Sequence, residues 1–137
     1  MTTLLPQPLG IPLPRPTELT APHWEAAMRG ELRVQRCELG HYTFIPLPMC
    51  NQCYSKNLDW VKTSGRGTLY SMTVVHRPQT PAFTVPYVVA VVAMEEGWYM
   101  MSNDVDAEIE DLKIDMPLQV SFRKMSDEIA LPYFVPI

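Results

Sequence analysis

The alternation of apolar and polar positions changes character twice along this chain. Up to position 22 there is no period, because prolines at positions 6, 8, 12, 14, 16 and 22 interrupt every apolar run. Proline removes backbone donors and holds the chain extended. The stretch therefore reads as an arm laid across a partner or across the protein's own core, or as a disordered tail. At Thr20-Ala21-Pro22 the pattern turns helical: a hydroxyl cap with proline close behind is a helix start. Trp24, Ala27 and Met28 then fall on one face at i, i+3 and i+4, and Gly30 ends the run. Glu31 to Arg36 alternates as a strand leading into Cys37.

From Leu58 onward the texture is that of strands. Leu69–His76 is rich in β-branched and aromatic residues, and Tyr87–Met94 is almost continuously apolar, as expected of a strand covered on both faces. Glu95-Glu96-Gly97 predicts a turn into a returning strand from Trp98 to Ser102. Leu118–Lys124 and Ile129–Phe134 complete five strands, with Ala107–Leu112 as one helical turn between the third and fourth. Gly65-Arg66-Gly67 predicts a bulge that bends the first long strand around a barrel. The expected fold is mainly β: a short N-terminal helix, a small zinc-ribbon-like module and a five-stranded barrel of the Greek-key OB type. The expected divisions are 1–30 for arm and helix, 31–57 for the ribbon and 58–137 for the barrel.

Composition narrows the function. A chain of 137 residues with 47% hydrophobic and 19% charged residues is folded, not disordered. A net charge of −4, with 11 scattered Lys and Arg, opposes a sequence-independent grip on nucleic acid, which needs clustered cations against phosphates. No apolar run approaches the roughly 20 residues that span a bilayer, and the first ten residues lack the layout of a signal peptide. A cytoplasmic location with no membrane partner is expected. Three cysteines, two of them in Cys-x-x-Cys spacing, then point to metal or redox use before structural disulfides.

Those cysteines are the one place with chemistry. Cys50-Asn51-Gln52-Cys53 is a knuckle whose two thiolates can bite one tetrahedral metal, and a structural zinc site closes with four ligands. Cys37, thirteen positions before Cys50, supplies a third. The position where a second Cys-x-x-Cys would end is Gly40, and the next residue, His41, is a competent ligand. Three readings stand at this point. Cys37, His41, Cys50 and Cys53 hold zinc; the ribbon has lost zinc and packs on Tyr42, Phe44, Ile45 and Leu47; or Cys50 and Cys53 form a redox pair.

The chain also resembles a known family. His23-Trp24-Glu25 and Gly30-Glu31-Leu32 precede Cys37; Pro48, Cys50 and Cys53 follow. Then come Trp60, the run Ser64-Gly65-Arg66-Gly67-Thr68-Leu69-Tyr70-Ser71, and Val74-Val75-His76-Arg77-Pro78. Pro86-Tyr87-Val88-Val89-Ala90 and Met116-Pro117-Leu118-Gln119-Val120 finish the match, which covers residue 18 to the C-terminus. These residues resemble the acyl-CoA-associated OB-fold proteins with an N-terminal rubredoxin-like zinc ribbon, domain of unknown function 35. The resemblance implies an accessory subunit that binds a thiolase-fold enzyme making or breaking a carbon–carbon bond next to a thioester. Such a subunit would complete or shield the partner's substrate channel, with the acyl-CoA thioester as ligand of the complex. Gly40 departs from the family's four-cysteine pattern.

No complete catalytic constellation is present, so no catalytic residue is assigned. Arg66, between two glycines, could donate bidentately to a phosphate or carboxylate. His76 and Arg77 are adjacent, Phe83 lies in a proline-flanked loop, and Tyr87 opens an apolar strand. These five are candidate contacts to partner or substrate, against a structural role for each. The acids Asp104, Asp106, Glu108, Glu110 and Asp111 read as a solvated face. The competing function is single-stranded nucleic-acid binding, with Tyr70, Tyr87, Trp98 and Tyr99 as stacking platforms.

Overall fold

A computed structural model describes residues 2–137. Its strands and helix, in chain order, are β1 (Thr3–Leu4), α1 (Ala21–Met28), β2 (Arg33–Cys37), β3 (Tyr42–Thr43), β4 (Leu58–Lys62), β5 (Arg66–Val75), β6 (Tyr87–Met94), β7 (Tyr99–Asp104), β8 (Ala107–Glu108), β9 (Pro117–Lys124) and β10 (Ala130–Pro136). A 3₁₀ turn at Ile109–Asp111 separates β8 from β9. Five strands close a barrel in the order β10-β7-β6-β5-β9, with β10 antiparallel to β9 and parallel to β7. A second sheet, β3-β2-β4, is the ribbon. The expected ribbon-plus-barrel architecture is the observed one. Leu58–Lys62, at the head of the segment assigned to the barrel, hydrogen-bonds along β2 in the ribbon sheet.

Several elements differ from expectation, each for a physical reason. Thr20 occupies the N-cap of α1, but its hydroxyl caps nothing there. It accepts instead from the Thr17 amide at 2.9 Å, a local side-chain-to-backbone bond of the kind that competes with capping. The helix ends with Glu31 N–H on the Ala26 carbonyl and Gly30 N–H on that of Ala27, at 2.9 and 3.0 Å, a Schellman closure. Its buried residues are His23, Ala26 and Ala27, so the inward face is turned from the one that Trp24 and Met28 define. β6 has the expected bounds but alternates buried and half-buried, with Val88, Ala90, Val92 and Met94 lining the core and the other face only partly covered.

The bulge falls beyond the glycine pair. The register of β5 against β6 shifts between Leu69 and Ser71, leaving Tyr70 as the extra residue. Gly65 does something else. Its φ is +72°, and a Cβ there would lie 2.5 Å from Val120 Cγ1, so only glycine lets the chain enter β5 this close to β9.

The arm lies on the protein's own barrel. Thr3 and Leu4 pair with Glu108 and Ala107, and Leu4 joins the core of the barrel. Gln7 is buried; its side-chain amide donates to the Thr84 carbonyl at 3.0 Å and accepts from the Thr84 N–H at 2.8 Å. Further along, Ile11 packs with Met125 and Ile129, against which Phe83 and Trp24 also rest. No helix among the described residues is long and apolar enough to cross a membrane.

Candidate metal centre and its surroundings

Two turns bring the donors together. Cys37 ends β2 and is tied to the following turn by its own N–H on the His41 carbonyl and by Gly40 N–H on the Cys37 carbonyl, each at 2.9 Å. Gly40 has φ +89°, a conformation few other residues take. The glycine at the position where a second cysteine was expected is thus the pivot that swings His41 toward the sulfurs. The Cys50–Cys53 knuckle is folded by Cys50 N–H on Ser55 O at 2.8 Å and Tyr54 N–H on Cys50 O at 3.0 Å. The two halves are joined through Glu38, whose carboxylate accepts from Ser55 Oγ and Asn57 Nδ2 at 2.9 and 3.1 Å. Those bonds take up both carboxylate oxygens of Glu38. A buried amide sets the approach: Gln35 donates to the Leu47 carbonyl and accepts from the Leu47 N–H, at 2.9 and 2.8 Å.

The ligand atoms of Cys37, His41, Cys50 and Cys53 all lie within 4.8 Å of one another. Cys53 Sγ is 3.8 Å from Cys37 Sγ, and Cys50 Sγ is 3.7 Å from His41 Nδ1. Tetrahedral zinc with Zn–S near 2.3 Å and Zn–N near 2.0 Å sets its ligand atoms about 3.8 Å apart for two sulfurs and about 3.6 Å for sulfur and nitrogen. The donor set therefore fits a Cys3His zinc centre in chemistry, and the Cys37–Cys53 and His41–Cys50 pairs fit it in spacing. Backbone N–H groups of His41 and Gln52 point at the sulfurs of Cys37 and Cys50, at 3.3 and 3.4 Å. The Cys53 backbone N–H acts first among the groups that hold the Cys50 thiol down to about 6, with Gln52 and His41 adding to it, so Cys50 reaches the thiolate form a metal requires.

The other expected residues separate by exposure. Arg66 opens β5 and pairs with Glu95 at 3.2 Å on the surface; His76 and Arg77 lie just beyond the end of β5, away from the core. Phe83 is half-buried and Tyr87 buried, their rings 6.2 Å apart, and Gln79 donates to the Tyr87 hydroxyl. These residues do not gather at one place with the sulfur cluster. Among the four aromatics considered for stacking, Tyr87 and Trp98 are buried while Tyr70 and Tyr99 are exposed. Ile45 and Leu47 are exposed, not ribbon core, because Phe44 beside them turns onto Trp98, with ring centroids 5.5 Å apart. Asp104 is likewise no part of a solvated face: it is 1% exposed. The strand runs two residues past its expected end at Ser102, which puts Asp104 in phase with Met100 and inside. Gln7 and Gln35, which fix the arm and the approach to the knuckle, carry no signal in the sequence, because neither sits in a motif.

Fold and site together define a two-module protein, a rubredoxin-like zinc ribbon joined to an OB barrel. Residues 24–59 match the family model of the ChsH2 rubredoxin-like zinc ribbon domain, and residues 60–123 that of the ChsH2 C-terminal OB-fold domain. The chain belongs to this DUF35 family. It is 38% identical over 117 residues to a probable enoyl-CoA hydratase alpha subunit of Thermomonospora curvata, covering 82% of this chain and 36% of that protein. It also covers 35% of the 3-oxo-4,17-pregnadiene-20-carboxyl-CoA hydratase alpha subunit of Mycobacterium tuberculosis, so the chain spans about a third of the length of these two relatives. A DUF35 domain-containing scaffold protein of Pyrococcus furiosus is 32% identical over 67% of this chain and 68% of its own. Among solved structures, a chain of the Ltp2-ChsH2(DUF35) aldolase superposes with a TM-score of 0.81 at 35% identity, over 90% of this chain and 98% of that one.

Proposed function

We propose that this chain is an accessory subunit of an acyl-CoA enzyme complex whose catalytic partner has a thiolase fold. The partner makes or breaks a carbon–carbon bond beside a thioester, and this chain completes or shields its substrate channel. The observation that carries the reading is the superposition, over nearly the whole of both chains, on a component of an aldolase assembly. The relatives described as hydratase alpha subunits and as scaffold proteins support the same kind of role. Within it the ribbon holds one zinc through Cys37, His41, Cys50 and Cys53. Four protein ligands close the coordination sphere, so this zinc is a clip that fixes the ribbon's fold, not a Lewis acid. Arg66 at one end of β5, and His76 and Arg77 beyond the other, are the cations offered to the partner or to the phosphates of a CoA thioester, while Phe83 and Tyr87 would brace the loop that follows Arg77.

The test is co-expression with the thiolase-fold proteins of the source genome, one at a time. The expected result is co-purification in a fixed ratio together with a change in the partner's turnover. Separate elution with unaltered turnover would overturn the reading.

A further inference from the structure

One face of the barrel carries large apolar side chains that the fold leaves uncovered. On its outer surface Tyr70 of β5 and Tyr99 of β7 meet edge to face, with ring centroids 5.0 Å apart. The bulge at Tyr70 tips its ring out of the strand's regular alternation and over the intervening β6, where Ala93 pairs with Tyr99 and Val91 with Met101. The ribbon continues the surface: Phe44, Ile45, Val91, Tyr99 and Met101 line one groove of about 240 Å³. A second groove of about 350 Å³ runs on from Phe44 and Tyr99 to Asn51 and Gln52 of the metal-binding knuckle. No charged residue lines either groove, in a chain that is 19% charged.

The exposures are large: Ile45 71%, Met101 66%, Tyr70 55% and Tyr99 54%. At about 200 Å² for a large apolar residue, these four leave roughly 500 Å² open, near the upper end of the largest patch on a typical monomer. A standard protein interface takes about 800 Å² from each partner, and its centre is depleted of charge and enriched in Tyr and Met. The patch supplies more than half of that area with that composition. It is also asymmetric, apolar at Ile45 and Met101 and polar at Asn51 and Gln52. A permanent homodimer buries upward of about 2,000 Å² in total, about 1,000 Å² from each copy and twice what this patch offers. The smaller standard interface between unlike chains is within its reach.

We propose that the face formed by Tyr70, Tyr99, Met101 and Ile45, continued by Asn51 and Gln52, is where this chain docks on the acyl-CoA enzyme subunit. The occupant is an uncharged, mainly apolar patch of that subunit with backbone or amide groups facing the knuckle. The proposal rests on the accessory-subunit reading and names its contact surface. The experiment measures the affinity of the full chain for each thiolase-fold protein of the source genome, using wild type, Met101→Lys, Tyr99→Lys and, as control, Leu9→Lys at an exposed position of the arm. All four are also melted thermally and sedimented alone. Expected are at least a tenfold loss of affinity for Met101→Lys and for Tyr99→Lys, no loss for Leu9→Lys, and unaltered melting of all three. Wild-type affinity in both barrel variants would overturn the surface while leaving the accessory role intact. A homodimer that Met101→Lys splits would overturn the unlike occupant. Absence of binding by the wild type itself would bring down the accessory role and this surface together.

Discussion

Two residues show how far single side chains depart from what their neighbours imply. Asp104 is buried with both carboxylate oxygens free of hydrogen-bond partners, and desolvation raises its acid to about 6 from an ordinary 3.8. A carboxyl raised in the folded state stabilises the fold fully below its unfolded pKa and loses that contribution as pH climbs through 6. At pH 7 the ionised group therefore costs about 3 kcal/mol, since each tenfold change in an acid's dissociation constant is worth about 1.36 kcal/mol. In urea unfolding, Asp104→Asn should gain on wild type progressively from pH 4 to pH 7, and a difference that stays flat over that range would refute the assignment. His23 runs the other way, since burial lowers its pKa against the carbonyl of Arg33, which is why the difference between variant and wild type is the quantity to follow. At His41 the expectation is metal content: about one zinc per chain in wild type and a clear loss in His41→Ala, read by elemental analysis. Zinc unchanged in the variant would remove His41 from the ligand set, and zinc in neither would mean a ribbon held by packing alone.

At the scale of elements, a buried glutamine twice takes the place of a strand. Gln7 bonds to both backbone groups of Thr84, and Gln35 does the same to Leu47. Each fixes a segment with little regular structure, the first the arm and the second the approach to the knuckle. Leu4 and Leu5 test whether the arm is part of the fold, because they are neighbours of opposite phase at the end of β1. Leu4 is 1% exposed and Leu5 63%. Leu4→Ala should cost about 2–5 kcal/mol of unfolding free energy, while Leu5→Ala should stay within about 0.5 kcal/mol. Equal effects in chemical denaturation would mean that the arm is not docked. The strands were legible because β-branched and aromatic runs between turn residues carry their own signal. The docking of the arm was not, since prolines fix an extended chain without saying what it lies against.

For the molecule as a whole, the order of modules and the cysteine knuckle were readable from spacing, and so were the alternatives for the fourth ligand. His41's approach was not, because it depends on the left-handed turn at Gly40 bringing two distant segments together. The exposed face was hidden for a similar reason: Tyr70, Tyr99 and Met101 are separated along the chain, and only the strand register makes them neighbours. That register has one more consequence. The barrel closes through short seams, one pair between β10 and β7 and three between β5 and β9, so along the rest of β5 and β7 that side has no strand partner. The border of β4 is open too, but Asp59 and Lys62 stand exposed there as charges that discourage pairing. Backbone pairing is thus one way to meet the barrel, whereas the wall of Tyr70 and Tyr99 offers side chains alone.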